Sequence, residues 1–456
     1  MNKVLSILVD ILKEPSILVA LMALIGLLAQ RKKLPDIIKG TTKTFVGFLV
    51  IAAGASILQN ALAPFGDMFQ HAFNVKGVVP NNEAIVAMAL TDYGSNTALI
   101  MFFGMIVNIL IARFTRFKYI FLTGHHTLYM ACMVAVILSV AGFNSAPLII
   151  LGALALGIIM SLSPALLQPF MKKITGNDNV ALGHFSGVGY ALSGLVGKAV
   201  AGKNPRSTEK INFPKGLGFL RDSTVSIAIT MAIIYVIVAL YAGPTYIQEH
   251  LSNGQNYLVF SFIQAGTFAA GVFVILSGVR LVLAEIVPAF KGISTKIVPN
   301  AKPALDVPII YTFAPNAVLI GFFSSFVGGI VSMLILTLSG GVIILPGVVP
   351  HFFTGAAAGV FGNATGGIRG SVIGSFVNGI IISFLPVFLM PVLGNLGFAN
   401  STFSDADFGV SGIILGTLAD SGGKVAIIIG IVIVLALMFI FSIRKKKVDQ
   451  NTNIGA

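Results

Sequence analysis

Apolar stretches of about 20 residues, nearly free of charge, alternate along this chain with short loops rich in lysine and arginine. Ser223–Tyr241, Val307–Leu338 and Val425–Ile443 are examples, each long enough to cross a bilayer core as a helix. Basic residues collect at Arg31–Lys33, Arg113–Lys118, Lys172–Lys173, Lys203–Arg221, Lys291–Lys302, Arg369 and Arg444–Lys447. Short cytoplasmic loops carry the excess of positive charge, so these segments mark the inner side. Threading helices between them predicts about eleven crossings, near 16–30, 42–60, 95–112, 119–141, 146–163, 223–242, 257–285, 309–338, 341–360, 371–396 and 424–443. An odd number puts the N-terminus outside and the Lys-rich C-terminus in the cytoplasm. The first apolar run, Ile17–Gln30, ends at Arg31-Lys32-Lys33 and reads as a retained first span rather than a cleaved leader. The expected fold is an all-α polytopic membrane protein.

Composition agrees with that pattern. Hydrophobic residues make up 56% and charged residues 10%, with a mean hydropathy of +0.95, whereas soluble domains carry about 25% charged residues. A net charge of +13 could suggest nucleic acid. The positive residues lie between spans, however, and no soluble module offers a basic face, which excludes that partner. Cys132 is the single cysteine and lies in an apolar run, so no disulfide framework or cysteine metal site exists.

The chain also repeats itself. Gly157-Ile-Ile-Met-Ser-Leu-Ser-Pro-Ala-Leu-Leu-Gln-Pro169 returns as Gly379-Ile-Ile-Ile-Ser-Phe-Leu-Pro-Val-Phe-Leu-Met-Pro391, at an offset of 222. Ser95–Phe103 matches Pro315–Phe323, Leu122–Gly124 matches Leu345–Gly347, Gly54 and Pro64 match Gly278 and Pro288, and Phe185–Gly187 matches Val410–Gly412, at offsets of 220 to 225. This divides the chain into halves, 1–222 and 223–456. Matching crossings lie five apart, an odd number, so the two copies run oppositely through the membrane. Inverted repeats give inward- and outward-facing states of similar energy and point to a transporter.

Ionisable groups within such a chain are costly and mark cavities or partners. Pro80-Asn81-Asn82-Glu83 precedes the short run Ala84–Leu90, which reads as a half-helix whose amino end favours anions. At an offset of 223, Glu83 falls on Asp306, so each half offers a carboxylate, either as a helix cap or as a hydroxyl acceptor. His125 and His126 open the fourth crossing, and His184 lies in Leu-Gly-His-Phe-Ser-Gly. Their spacing fits no zinc pattern, so no metal or cofactor is expected. Neutral imidazole suits sugar hydroxyls, since one ring nitrogen donates and the other accepts. The glycine-rich run Gly355–Gly370 lacks the Lys-Ser/Thr of a P-loop and reads as a broken or tightly packed helix.

Lys39–Thr44, Phe121-Leu-Thr-Gly-His125, Gly183-His184, Gly278-Val-Arg280 with Ala284-Glu285, Asp306 and Phe313-Ala-Pro-Asn-Ala317 together resemble the L-ascorbate-specific membrane component, enzyme IIC, of the bacterial phosphotransferase system. The likeness runs from about Ser16 to Phe441. It implies a multi-pass protein of the bacterial cytoplasmic membrane and a homodimer of eleven-crossing subunits. Each subunit would have a substrate-carrying core domain and a V-shaped scaffold domain, with elevator-like movement of the core. It further implies that the substrate is delivered to a cytosolic enzyme IIB, itself charged by enzyme IIA. The chain would then be a transport component and not an enzyme, since phosphoryl transfer belongs to its partners. Carried over by motif, substrate contacts fall on Asn82 and Glu83, on His125, His126, Thr127, Leu128 and Tyr129, on His184 and Phe185, and on Asp306. The family pattern has glutamine where Tyr129 and Phe185 stand and Thr-Tyr where Asn82-Glu83 stand. Ascorbate is therefore the leading substrate beside a related sugar acid or polyol. The alternative is an ion-coupled secondary transporter in which Glu83 or Asp306 carries a proton.

Overall fold

A computed structural model describes residues 15–74, 77–211, 216, 219, 222–398 and 400–453. Helices dominate: α1 (Pro15–Ala29), α2 (Leu34–Phe73), α3 (Asn82–Phe114), α4 (Gly124–Val140), α5 (Ser145–Thr175), α6 (Gly187–Val200), α7 (Ser223–Ala242), α8 (Pro244–His250), α9 (Tyr257–Ile297), α10 (Pro308–Tyr311), α11 (Pro315–Ser339), α12 (Val348–Pro350), α13 (Ala356–Leu389) and α14 (Ala406–Asn453). Among the described residues, seven helices are long and apolar enough to cross a membrane. The count becomes eight if α7 and α8, bent by 99° at Gly243, form one span.

One long element differs in its joints from the hydropathy pattern, and two others break at glycines that the pattern leaves between or just before spans. Ala84–Leu90 is no separate half-helix, because α3 runs unbroken from Asn82 to Phe114. Thr91-Asp92-Tyr93-Gly94-Ser95 is polar but contains no proline, so it interrupts the apolar pattern without interrupting the hydrogen-bond ladder. In α13 the break falls at Gly367, whose φ of 61° and ψ of −146° suit only glycine. α14 breaks at Gly422 and Gly423, and Gly423, with φ of 59° and ψ of −148°, has the same glycine-only conformation.

Among the described residues six short strands lie between the helices: β1 (Gly77–Pro80), β2 (Tyr119–Phe121), β3 (Ala181–Leu182), β4 (Lys302–Leu305), β5 (Ile343–Ile344) and β6 (Ser401–Thr402). They form two parallel three-stranded sheets, ordered β5-β1-β6 and β2-β4-β3. Strands β1, β3, β5 and β6 are wholly buried. Extended backbone inside an apolar protein must satisfy its N–H and C=O groups internally, and pairing across the two sheets does this. Every strand then turns into a helix within a few residues. Pro80 ends β1 because it has no N–H for the ladder, and Asn81 accepts the Ala84 N–H at 2.7 Å to start α3.

The core centres on α4. From His126 to Leu138 its residues are at most 3% exposed, so this helix is enclosed on all sides. The Val425–Phe441 stretch of α14 is also strongly apolar, yet it exposes Val425, Ile429, Val432 and Ile433.

Candidate functional site

Five of the six strand-to-helix junctions carry the chemistry. β1–α3 brings Asn81, Asn82 and Glu83, β2–α4 brings His125 and His126, and β3–α6 brings His184. β4–α10 supplies Asp306, and β6–α14 supplies Asp405. A junction of this kind fixes the backbone on both sides of a polar residue. It also points the free N–H groups of the new helix toward whatever binds there.

The histidines form a row. The His125 and His126 ring centroids are 4.7 Å apart, and those of His126 and His184 are 3.8 Å apart. A carboxylate stands at each end: His125 Nε2 lies 3.5 Å from Asp306 Oδ2, and His184 Nδ1 lies 3.7 Å from Asp405 Oδ2. Tyr190 holds His184 from behind, its hydroxyl 2.8 Å from Nδ1. Asp306 Oδ1 accepts the Val307 N–H at 2.7 Å, which leaves Oδ2 turned to His125.

Other residues named from the sequence take varied places. Glu83 is 6% exposed, and its Oε2 has no hydrogen-bond partner among the described residues. The Tyr129 hydroxyl is also unpartnered, and it lies within electrostatic reach of Glu83, Asp405 and Asp306. Phe185 stacks on Phe121 at 4.5 Å and meets the His126 ring edge-on at 5.9 Å, forming an apolar wall of the row. Thr127 turns its hydroxyl to the Thr123 carbonyl at 3.1 Å, and Leu128 packs into the main core, so these two brace α4. Asn82 spends its amide on neighbours, donating to Asp405 Oδ1 at 2.8 Å and accepting the Ser404 N–H at 2.9 Å. The Glu285 side chain lies outside the described residues.

Asp405 and Tyr190 were not singled out in the sequence. Ser401-Thr-Phe-Ser-Asp-Ala-Asp407 reads as a polar loop between spans, and the sign available was two acids directly before an apolar helix. Sequence spacing also hid the clustering of possible metal ligands. Ligating atoms of His125, His126 and Asp306, and of His126, His184 and Asp405, lie within 4.8 Å of one another in each group. Such groups suit a divalent cation or a row of hydroxyls, since both need converging donors and acceptors.

Residues 10–407 match the description of the PTS system sugar-specific permease component, EIIC-GAT. The chain belongs to this permease family. A relative in Mycoplasma pneumoniae, an ascorbate-specific PTS system EIIC component, is 27% identical over 411 residues, covering 78% of this chain. The chain spans about 62% of that relative's length. A buried row of imidazoles and carboxylates presents hydrogen-bond donors and acceptors side by side. Cys132 is fully buried within α4, away from the row.

Proposed function

We propose that this chain is the membrane-embedded permease subunit of a phosphotransferase system. In this reading it binds L-ascorbate, or a related sugar acid or polyol, and moves it inward for phosphorylation by a cytosolic enzyme IIB that enzyme IIA recharges. The observation that carries the reading is the buried His125–His126–His184 row closed at both ends by Asp306 and Asp405. Unpartnered buried polar atoms at Glu83 and Tyr129 support it, because hydroxyls of a small solute would satisfy both. An anionic substrate meets an obstacle here, since like charges at ~4 Å repel by roughly 4 kcal/mol at an effective dielectric near 20. The carboxylates therefore accept only from O–H groups of the solute, and imidazole N–H groups and helix amino ends face its ionised oxygen.

Translocation rests on two inverted halves, 1–222 and 223–456, with eleven crossings, a core and a V-shaped scaffold each drawn from both halves, and a homodimer. The N-terminus lies outside and the C-terminus in the cytoplasm of the bacterial inner membrane. Strand pairing supports the repeat in detail. Adding 225 to β1 gives β4, adding 224 to Tyr119–Ile120 gives β5, and adding 220 to β3 gives β6. Under that exchange every pair of one sheet falls on a pair of the other: Gly77–Ile343 on Lys302–Tyr119, and Pro80–Thr402 on Leu305–Leu182. The glycines of the longest repeat behave alike. A side chain at Gly157 would strike Val107 of α3, and one at Gly379 would strike Ser325 of α11, so each lets its helix approach closely. The same register moves one correspondence: Asp306 faces Asn81, not Glu83, and both Asn81 and Asp306 accept a backbone N–H at the head of the next helix.

Uptake of labelled L-ascorbate into vesicles tests the reading against ion coupling. Uptake should require phosphorylated enzyme IIB and should survive collapse of the membrane potential and proton gradient. Uptake that needs no partner and stops with the gradient would assign a proton-carrying role to Glu83 or Asp306 instead.

A further inference from the structure

Asn82, Ser404 and Asp405 form a latch between the heads of α3 and α14. Asn82 Nδ2 and Ser404 Oγ both donate to Asp405 Oδ1, each at 2.8 Å, while Asn82 Oδ1 accepts the Ser404 N–H at 2.9 Å. The latch fixes the plane of the carboxylate and leaves Oδ2 on the side of His184, 3.7 Å from Nδ1. Asp407, two residues on, is spent otherwise. Its Oδ2 takes the Ser163 hydroxyl at 2.7 Å and its Oδ1 takes the Val188 N–H at 2.8 Å, so it anchors α5 and the head of α6. Of the two acids, Asp405 alone presents an oxygen to the histidine row.

The arrangement is thus double. His125 with Asp306 and His184 with Asp405 are each an imidazole–carboxylate couple, and each joins a histidine before residue 222 to an aspartate after it. The first couple offers an N–H donor and an oxygen acceptor 3.5 Å apart; in the second, Tyr190 takes His184 Nδ1, so, with Nδ1 accepting the hydroxyl proton, Nε2 carries the N–H and Asp405 Oδ2 is the acceptor beside that ring. Hydroxyls on adjacent carbons lie about one hydrogen-bond length apart, and each both donates and accepts, so one couple can hold one vicinal pair. We propose that Asp405 is a specificity-determining carboxylate, and that the two couples each read one pair of adjacent hydroxyls. The site then selects small acids that carry two such pairs. L-ascorbate has two, the ring enediol and the side-chain diol. The inference rests on the sugar-acid reading above and adds to it the residue and the feature of the substrate that is read.

Calorimetric binding to the purified full-length chain tests it with three ligands: L-ascorbate, 6-deoxy-L-ascorbate, which lacks one side-chain hydroxyl, and 2-O-methyl-L-ascorbate, which blocks one ring hydroxyl. Asp405→Asn should weaken L-ascorbate binding about 10- to 100-fold, as for loss of a hydrogen bond to a charged group. It should weaken one of the two analogues far less, namely the one already missing the hydroxyl that Asp405 reads. Asp306→Asn should spare the other analogue. If Asp405→Asn does not fold, Asn82→Ala cuts the latch while keeping the carboxylate, and it should give the same ligand pattern with a smaller loss. Equal losses on all three ligands, or none, would overturn the proposal. So would binding that EDTA abolishes and Zn²⁺ restores, which would give His126, His184 and Asp405 to a cation. Failure of the unaltered chain to bind any of the three would instead remove the sugar-acid reading itself.

Discussion

The two histidine–aspartate couples are built from the same groups and differ in access. At one end of the row His125 and Asp306 are 24% and 33% exposed, whereas at the other His184 and Asp405 are 3% and 4% exposed. One couple forms the open lip of the site and the other its floor. The difference separates two roles that a binding residue can combine. A side chain at the lip contributes to the ligand and little to the fold. A side chain at the floor is tied into Tyr190, Asn82 and Ser404, so it contributes to both.

The largest effect should come from the floor. His184→Ala leaves the Tyr190 hydroxyl without its partner and takes the ring away from Asp405 Oδ2, and an unpaired buried polar group costs about 1–3 kcal/mol. Both the melting temperature in detergent and the affinity for L-ascorbate should fall. A variant that melts normally would erase the distinction between floor and lip.

At the lip the two measurements should separate. Asp306→Asn keeps an oxygen for the Val307 N–H, so its stability should stay within about 0.5 kcal/mol of the parent while uptake is lost. Full uptake in this variant would return Asp306 to the plain duty of starting α10.

The smallest effect should lie away from both couples, at Asp178. Its carboxylate bridges Lys172 of α5 at 2.9 Å and Lys302 of β4 at 2.6 Å, and these ammonium groups hold it well below the usual carboxylate range. A lowered folded-state pKa adds stability above the ordinary value of about 4, and that stability is lost as the pH falls below it. The site is 42% exposed and screened by water, so the contribution is ~1 kcal/mol or less. Asp178→Asn should therefore melt slightly lower than the parent near pH 7, and the gap should narrow steadily as the pH falls below about 4. A gap that did not narrow in acid would mean the side chain acts through packing.

How much of this was legible in the sequence depends on contrast. His125, His126, His184 and Asp306 stand out because each is an ionisable group amid apolar residues, where polarity must be explained. Asp405 has no such contrast, since it sits among Ser401, Thr402, Ser404 and Asp407 and resembles any surface loop. Its place is set by β6 pairing with β1, a contact between distant segments. Helix joints were hidden for a related reason. Hydropathy registers apolarity, so it reads the polar Thr91–Ser95 as a gap although α3 continues through it. Nor can apolarity tell enclosed from lipid-facing: α4 and the Val425–Phe441 stretch of α14 are both strongly apolar, and only packing separates them.

The pairing of the strands has a consequence for how the chain is made. β1 is the central strand of its sheet, flanked by β5 and β6, so it emerges from the ribosome long before either neighbour exists. β2 and β3 likewise await β4. During insertion the early junctions hold unpaired backbone and unmatched histidines, and neither half can mature before the other is threaded. Contacts so remote in sequence close late and slowly. The site is therefore among the last features to form, and a chain arrested midway through synthesis has the helices of a permease but no place to hold cargo.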